Sequence, residues 1–136
     1  LEFKGIKAHA SNPIKGKSAN MNAVKFLAEL DDFYTENIKT DIEENFEIPY
    51  TTMNVGVING GSGGNSVSAK CDVHIDFRTA KKNHTEILDN KVNELSKKYE
   101  CDINLIEKLP NYCPHCGTKT TGNYCSNCGI KLLGTK

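Results

Sequence analysis

Two Cys-x-x-Cys pairs near the C-terminus, Cys113-Pro-His-Cys116-Gly117 and Cys125-Ser-Asn-Cys128-Gly129, constrain this chain more than any other feature. Each pair lets two thiolates reach one ion from a tight turn, and the glycine that follows permits the backbone conformation closing that turn. Four thiolates in tetrahedral geometry suit zinc and leave no position open for a substrate or a catalytic water. The expectation is one structural zinc held by Cys113, Cys116, Cys125 and Cys128. So short a segment cannot bury enough apolar surface to fold alone, and zinc binding, worth ~10–16 kcal/mol in small zinc peptides, would supply most of its stability. A thioredoxin-like redox pair is the competing reading, but it belongs beside a βαβ unit and has no use for a second matching pair. His115 lies between two ligands and is read as exposed, not as a fifth ligand.

The compartment follows from the same cysteines. Six in a secreted chain would suggest disulfides, whereas four gathered into two metal knuckles point to a reducing compartment, the cytoplasm. Cys71 and Cys101, in apolar alternating stretches, read as small buried hydrophobes. Lys+Arg and Asp+Glu number 17 each, a formal net charge of zero, which argues against broad electrostatic binding to nucleic acid or an anionic membrane. The segment around the knuckles lacks the basic patch and interleaved aromatics of a nucleic-acid reader. No apolar stretch approaches the roughly 20 residues that span a bilayer, and no signal peptide opens the sequence. The chain starts at Leu1 inside a strand pattern and is taken as a piece of something longer.

Upstream of the knuckles the periodicities alternate. Glu2 to Ser11 reads as a strand running into a turn at Asn12-Pro13. Ala23, Phe26, Leu27, Leu30, Phe33 and Tyr34 have the spacing of an amphipathic helix. Asp41 to Pro49 is an acidic loop. Met53, Val55 and Val57 alternate as in a half-buried strand over Thr51 to Ile58, and Asn59 to Asn65 is a glycine-rich turn. Val67, Ala69, Cys71, Val73, Ile75 and Phe77 then face one way along a strand, with Lys70, Asp72, His74, Asp76 and Arg78 facing the other. Asn83 and Glu86 suggest a capping box opening a second helix with Leu88, Val92, Leu95 and Tyr99 on one face. Cys101, Ile103 and Leu105 make a last strand before Pro110. The order predicts an α+β fold: a ferredoxin-like βαββαβ antiparallel sheet with two helices on one face over residues 1–109, and a small zinc ribbon over 110–136.

Particular residues on those elements form a pattern. Gly5-Ile-Lys-Ala-His9-Ala-Ser11-Asn-Pro13 is followed by Gly16 and by Asn22-Ala23 before a helix. Asn54-Val-Gly56-Val-Ile58-Asn-Gly60-Gly61 is followed by Asn65 and by Cys71-Asp-Val-His-Ile-Asp76-Phe-Arg78. In order and spacing these resemble the dimerisation (lid) domain of the di-zinc metallopeptidases (family twenty) that include aminoacylase, acetylornithine deacetylase, succinyl-diaminopimelate desuccinylase and glutamate carboxypeptidase. The resemblance runs from about Phe3 to Leu109. It implies a ferredoxin-like lid inserted in a larger catalytic domain, paired with its twin as a homodimer through an edge strand and helix. Such enzymes hydrolyse N-acyl amino acids or small peptides at a two-zinc centre in the catalytic domain, which is not in these residues. This chain alone is therefore expected to be inactive. The resemblance further implies an oxyanion contact from His9 to the partner subunit's active site, and a grip on the substrate carboxylate by Asn65 and Arg78. The chemistry suits those roles, since an imidazole N–H can donate to an oxyanion and a guanidinium can hold a carboxylate with two parallel bonds.

From the residues alone the simpler readings stay open. Arg78 beside Asp76 is also a surface ion pair, worth under about 1 kcal/mol. His9 is also a turn residue, and Asn65 also ends a glycine turn. Two departures bear on substrate class: Ser66-Val67-Ser68 stands where relatives often carry a proline, and three extra residues lie between Gly16 and Asn22-Ala23. His74-Ile75-Asp76 imitates the family's metal-binding His-x-Asp and Glu43-Glu44 its catalytic acidic pair, but both fall on elements of the lid and read as solvated polar residues. Gly60 to Gly64 is no phosphate cradle, because no Gly-Lys-Ser/Thr follows it. The alternative function is a non-catalytic interaction or assembly module. An RNA-binding sheet is disfavoured by Lys70, Asp72 and His74 where stacking aromatics are needed.

Overall fold

The computed structural model describes residues 1–104, 113, 115–119 and 124–130. Strand β1 (Glu2–Lys4) is followed by a short β2 (Ala8–His9), a 3-10 turn at Pro13–Lys15 and helix α1 (Ala19–Phe33). Then come β3 (Thr52–Gly60), a short β4 (Ser66–Val67), β5 (Lys70–Arg78), helix α2 (Lys82–Lys98) and β6 (Cys101–Asp102). The main sheet has the order β3-β5-β1-β6 with every pairing antiparallel, the ferredoxin-like arrangement expected from the sequence. None of the described helices is long and apolar enough to cross a membrane.

One face of the sheet is covered by both helices. Phe3, Cys71 and Val73 from the strands pack against Ala19, Ala23, Phe26 and Leu30 of α1 and Leu95 of α2. Phe26 meets Phe3 edge-on with ring centroids 5.3 Å apart, a geometry that adds to simple area burial. The helix starts earlier than its apolar stripe because Ser18 caps it, its side chain accepting from the Met21 N–H at 3.1 Å. Beyond Phe33 a single π-helical turn, Tyr34–Ile38, carries Tyr34 and Ile38 into a second cluster with Leu88.

Several sequence expectations are corrected. The opening strand breaks after Lys4, because Gly5 lets the chain leave the main sheet, and Ala8–His9 pairs with Ser66–Val67 in a separate two-stranded ribbon. The long strand predicted from Val67 divides likewise: Ser68 is buried, its Oγ accepting from the Asn20 N–H and its carbonyl from the Ala19 N–H. Val57 does not share a face with Met53 and Val55, since a bulge between Val55 and Val57 adds one residue to β3. The capping box does not form. Lys81 is the N-cap of α2 without a side-chain bond, so Asn83 is already inside the helix. The last strand is described for Cys101–Asp102, and the predicted domain boundary at 109/110 lies outside the described residues.

Burial accounts for the two isolated cysteines. Cys71 is in the core, and loss of hydration pushes the half-buried Cys101 thiol up to about 11. Opposite the helices the sheet presents charge, with Lys4 bound to Asp102 at 2.8 Å and Arg78 to Asp76.

Candidate substrate-contact loop and metal centre

The β2–β4 ribbon positions the first of the candidate residues. His9 lies opposite Ser66, and the Ala10 N–H donates to the Asn65 carbonyl at 2.9 Å, so the His9 loop and the Asn65 turn are stitched together. The Asn12 N–H closes back on the His9 carbonyl at 2.9 Å, which places His9 at the head of a tight turn. Its side chain is exposed, and Nδ1 receives the Ser11 backbone N–H at 3.1 Å with Ser11 Oγ 2.7 Å away. Gly16 makes the loop's return possible, because a Cβ there would stand 2.8 Å from the Ala8 Cβ and 2.9 Å from the Ile6 carbonyl.

Arg78 is elsewhere. It ends β5 opposite Thr52, at the far end of a nine-residue strand from Lys70, where the chain arrives from the ribbon. At the usual rise that is roughly 25 Å along the strand. Its Nε donates to Asp76 Oδ2 at 2.8 Å, with both side chains about half exposed. Thus His9 and Asn65 are brought together and Arg78 is not. His74 sits opposite Val57 on the exposed face, and Glu43 takes part in the acidic loop, its carboxylate accepting from the Asn45 side chain at 2.9 Å.

One buried polar group had no signal in the sequence reading. His84, on the core side of α2, lies with Nδ1 2.5 Å from Thr51 Oγ1 and Nε2 2.9 Å from Asp41 Oδ2. Thr51 Oγ1 also accepts from the Ala80 N–H at 2.8 Å, and Lys81 pairs with the same Asp41 carboxylate. Lys81 and then His84 hold the Asp41 carboxyl below the usual carboxylate range. The network ties the acidic loop to the start of α2. Its threonine is fully buried, so it is a clamp and not a nucleophile.

The four knuckle cysteines converge. Their Sγ atoms all lie within 4.8 Å of one another, with Cys113 to Cys128 at 3.6 Å and Cys116 to Cys125 at 3.4 Å. A tetrahedral ion bonded at about 2.3 Å to each sulfur requires sulfurs about 3.8 Å apart, so the set can hold a metal. The two knuckles have the same build. Gly117 and Gly129 adopt φ of 76° and 75°, and their N–H groups donate to the carbonyls of Cys113 and Cys125, each at 2.9 Å. That is the left-handed turn the glycines were expected to permit. The His115 and Asn127 amides donate to Cys113 Sγ and Cys125 Sγ, each at 3.4 Å, an arrangement repeated in both knuckles. The Thr118 hydroxyl and backbone beside Cys116 draw its thiol down to about 5. His115 is exposed.

Residues 1–101 match the family described as the peptidase dimerisation domain. The chain is 35% identical over 78 residues to the acetylornithine deacetylase of Myxococcus xanthus, covering 57% of this chain and 20% of that protein. It is 30% identical over 128 residues to the acetylornithine deacetylase of Pasteurella multocida, covering 85% of this chain and 32% of the other. The chain thus spans about a fifth to a third of the length of these relatives. Among solved structures, an aminopeptidase PepT from Bacillus cereus superposes with a TM-score of 0.56 at 26% identity, over 73% of this chain and 25% of that one.

Proposed function

The chain belongs to the peptidase dimerisation domain family, and from that premise we propose that it is the dimerising, substrate-closing lid of a zinc-dependent amidohydrolase. The substrates of the whole enzyme are N-acyl amino acids or small peptides, in keeping with relatives that are acetylornithine deacetylases. The observation that carries the reading is the exposed His9 imidazole, presented at the head of a turn that is bonded to the Asn65 turn. An imidazole N–H held at a strand end is placed to donate to the oxyanion that forms when water adds to an amide carbonyl. The catalytic domain's two zinc ions would supply the activated water. This lid contributes the donor, the closure and a carboxylate grip.

Pairing of two copies is part of the proposal. Within one subunit the length of β5 keeps Arg78 too far from His9 and Asn65 for one small substrate to touch both. A homodimer resolves this: His9 and Asn65 serve the partner's site, while Arg78 grips the carboxylate in its own. The bond from Arg78 Nε to Asp76 restrains the guanidinium and leaves its two Nη groups as a fork. The pairing edge is β3, a nine-residue strand bordering the sheet, whose unpaired backbone would add to a second copy.

The ribbon's four cysteines hold one structural zinc, with no open coordination position and hence no catalytic part. Residues 1–109 form the lid and 110–136 the ribbon. Cysteines that hold zinc must stay reduced, which suits the cytoplasm.

The test uses the full-length protein that carries this segment. His9→Ala should lower turnover ~10²–10³-fold while leaving fold and zinc content intact. Arg78→Ala should mainly raise KM, because a carboxylate is held alike in ground and transition states. Turnover close to normal in His9→Ala would overturn the catalytic reading and favour a non-catalytic assembly role. The 136-residue chain alone should show no hydrolysis of acyl-amino acids or dipeptides, with or without added zinc.

A further inference from the structure

A second residue of the His9 turn has a task of its own. Ser11 meets the ring through two atoms: its backbone N–H donates to Nδ1 at 3.1 Å, and its Oγ lies 2.7 Å from the same nitrogen. A backbone amide is only ever a donor, so Nδ1 must face it with a lone pair. In the neutral ring the proton then resides on Nε2. The hydroxyl, able to donate as well as accept, adds a second bond to that lone pair.

The backbone leaves this arrangement little freedom. His9 is held in the ribbon opposite Ser66, its carbonyl accepts from the Asn12 N–H, and Ala10 is bonded to Asn65. Ser11 is the third residue of that closed turn, so its amide cannot swing away unless the turn opens. Rotation of the ring would give up both contacts at Nδ1 at once.

We propose that Ser11 is a positioning residue that locks His9 in one rotamer and in the Nε2–H tautomer. For its catalytic consequence this rests on the reading of His9 as an oxyanion donor, but the tautomer itself does not. The sign of the outward group is what matters. With the proton on Nε2, the exposed nitrogen offers an N–H to a developing negative oxygen. In the other tautomer the same nitrogen would present a lone pair and repel it. Ser11 therefore sets whether the imidazole attracts or opposes the charge, without touching substrate.

The experiment has two arms. In the first, long-range ¹H–¹⁵N correlation spectra of the 136-residue chain are recorded at a pH of about 9, where an ordinary imidazole is neutral. The His9 ring should show protonated Nε2 and unprotonated Nδ1 with little of the other tautomer. Ser11→Ala keeps the amide and loses the hydroxyl, and should lower the excess of the Nε2–H form several-fold. Ser11→Thr should restore it. In the second arm the same variants are made in the full-length protein. Ser11→Ala should lower kcat on the order of ten-fold at unchanged KM, which is the loss of one hydrogen bond that acts through another group. Ser11→Thr should recover most of it. A mixed tautomer in the unmodified chain, or Ser11→Ala indistinguishable from it in both arms, would overturn the proposal. If His9→Ala leaves turnover intact, the oxyanion reading fails, and the spectra still decide whether Ser11 governs the tautomer.

Discussion

Val57 lies opposite His74, although Val55, two residues before it, lies opposite Ile75. β3 advances two residues where β5 advances one, so the alternation of the edge strand reverses at Gly56 and Ile58 comes to pair with Val73 on the helix side. There Asn20 of α1 donates through its side-chain nitrogen to the Gly60 carbonyl at 3.2 Å, and Met21, Val24 and Ile58 are all exposed. An exposed apolar group along an open strand edge and its neighbouring helix is what a second copy would cover.

Ile58→Asp or Val24→Asp should therefore weaken self-association at least ten-fold without unfolding the chain, since neither residue contributes to the core. Sedimentation velocity over a concentration series is the measurement. A purely monomeric unmodified chain at high concentration would contradict the homodimer.

Gly5 should not tolerate a side chain. A Cβ there would stand 2.1 Å from the Lys17 carbonyl, 2.6 Å from the Ser68 carbonyl and 2.8 Å from the Ala19 N–H, all backbone atoms. Nothing flexible can yield, so the strand junction itself must shift. Gly5→Ala should cost about 3 kcal/mol in urea denaturation, at the upper end for an overpacked site. A loss under about 0.5 kcal/mol, the ordinary surface range, would show that the junction is plastic.

The clamp at Asp41 gives a signed pH dependence. Its carboxyl is held low in the folded chain by Lys81 and then His84, so the unfolded state takes up its proton first on acidification. The stabilisation is present above the unfolded value near 3.9 and is lost as the pH falls through the lower folded value. Asp41→Asn should be less stable than the unmodified chain at pH 7, with the difference in denaturation midpoint shrinking towards zero below that window. A difference independent of pH would mean that the carboxylate charge is not what binds Lys81 and His84.

Purified protein should contain about one equivalent of zinc by elemental analysis, as the four-ligand rule requires. Changing Cys113, Cys116, Cys125 and Cys128 together to serine should remove it and leave the sheet domain folded. Zinc retained after that change would place the metal elsewhere.

The order of elements, the core face of β5 and the metal knuckles were legible in the chain because each depends on local period or spacing. Cys71 and Val73 face the core by strand alternation, and Gly117 and Gly129 mark turns that few other residues can make. The resemblance carried His9, Asn65 and Arg78, which periodicity alone would have left as turn and surface residues. What the sequence could not reveal lies where a distant segment sets the answer. Ala8–His9 leaves the main sheet to pair with Ser66–Val67, some sixty residues on. Ser68 and His84 are buried because Asn20, Thr51 and Asp41 reach them from other elements. Gly56 begins no visible break in the apolar pattern, yet the bulge there re-aims the strand edge. The proton on His9 follows the same division: its residue type is in the sequence, but the nitrogen that carries the proton is set by where the fold turns the Ser11 amide and hydroxyl together.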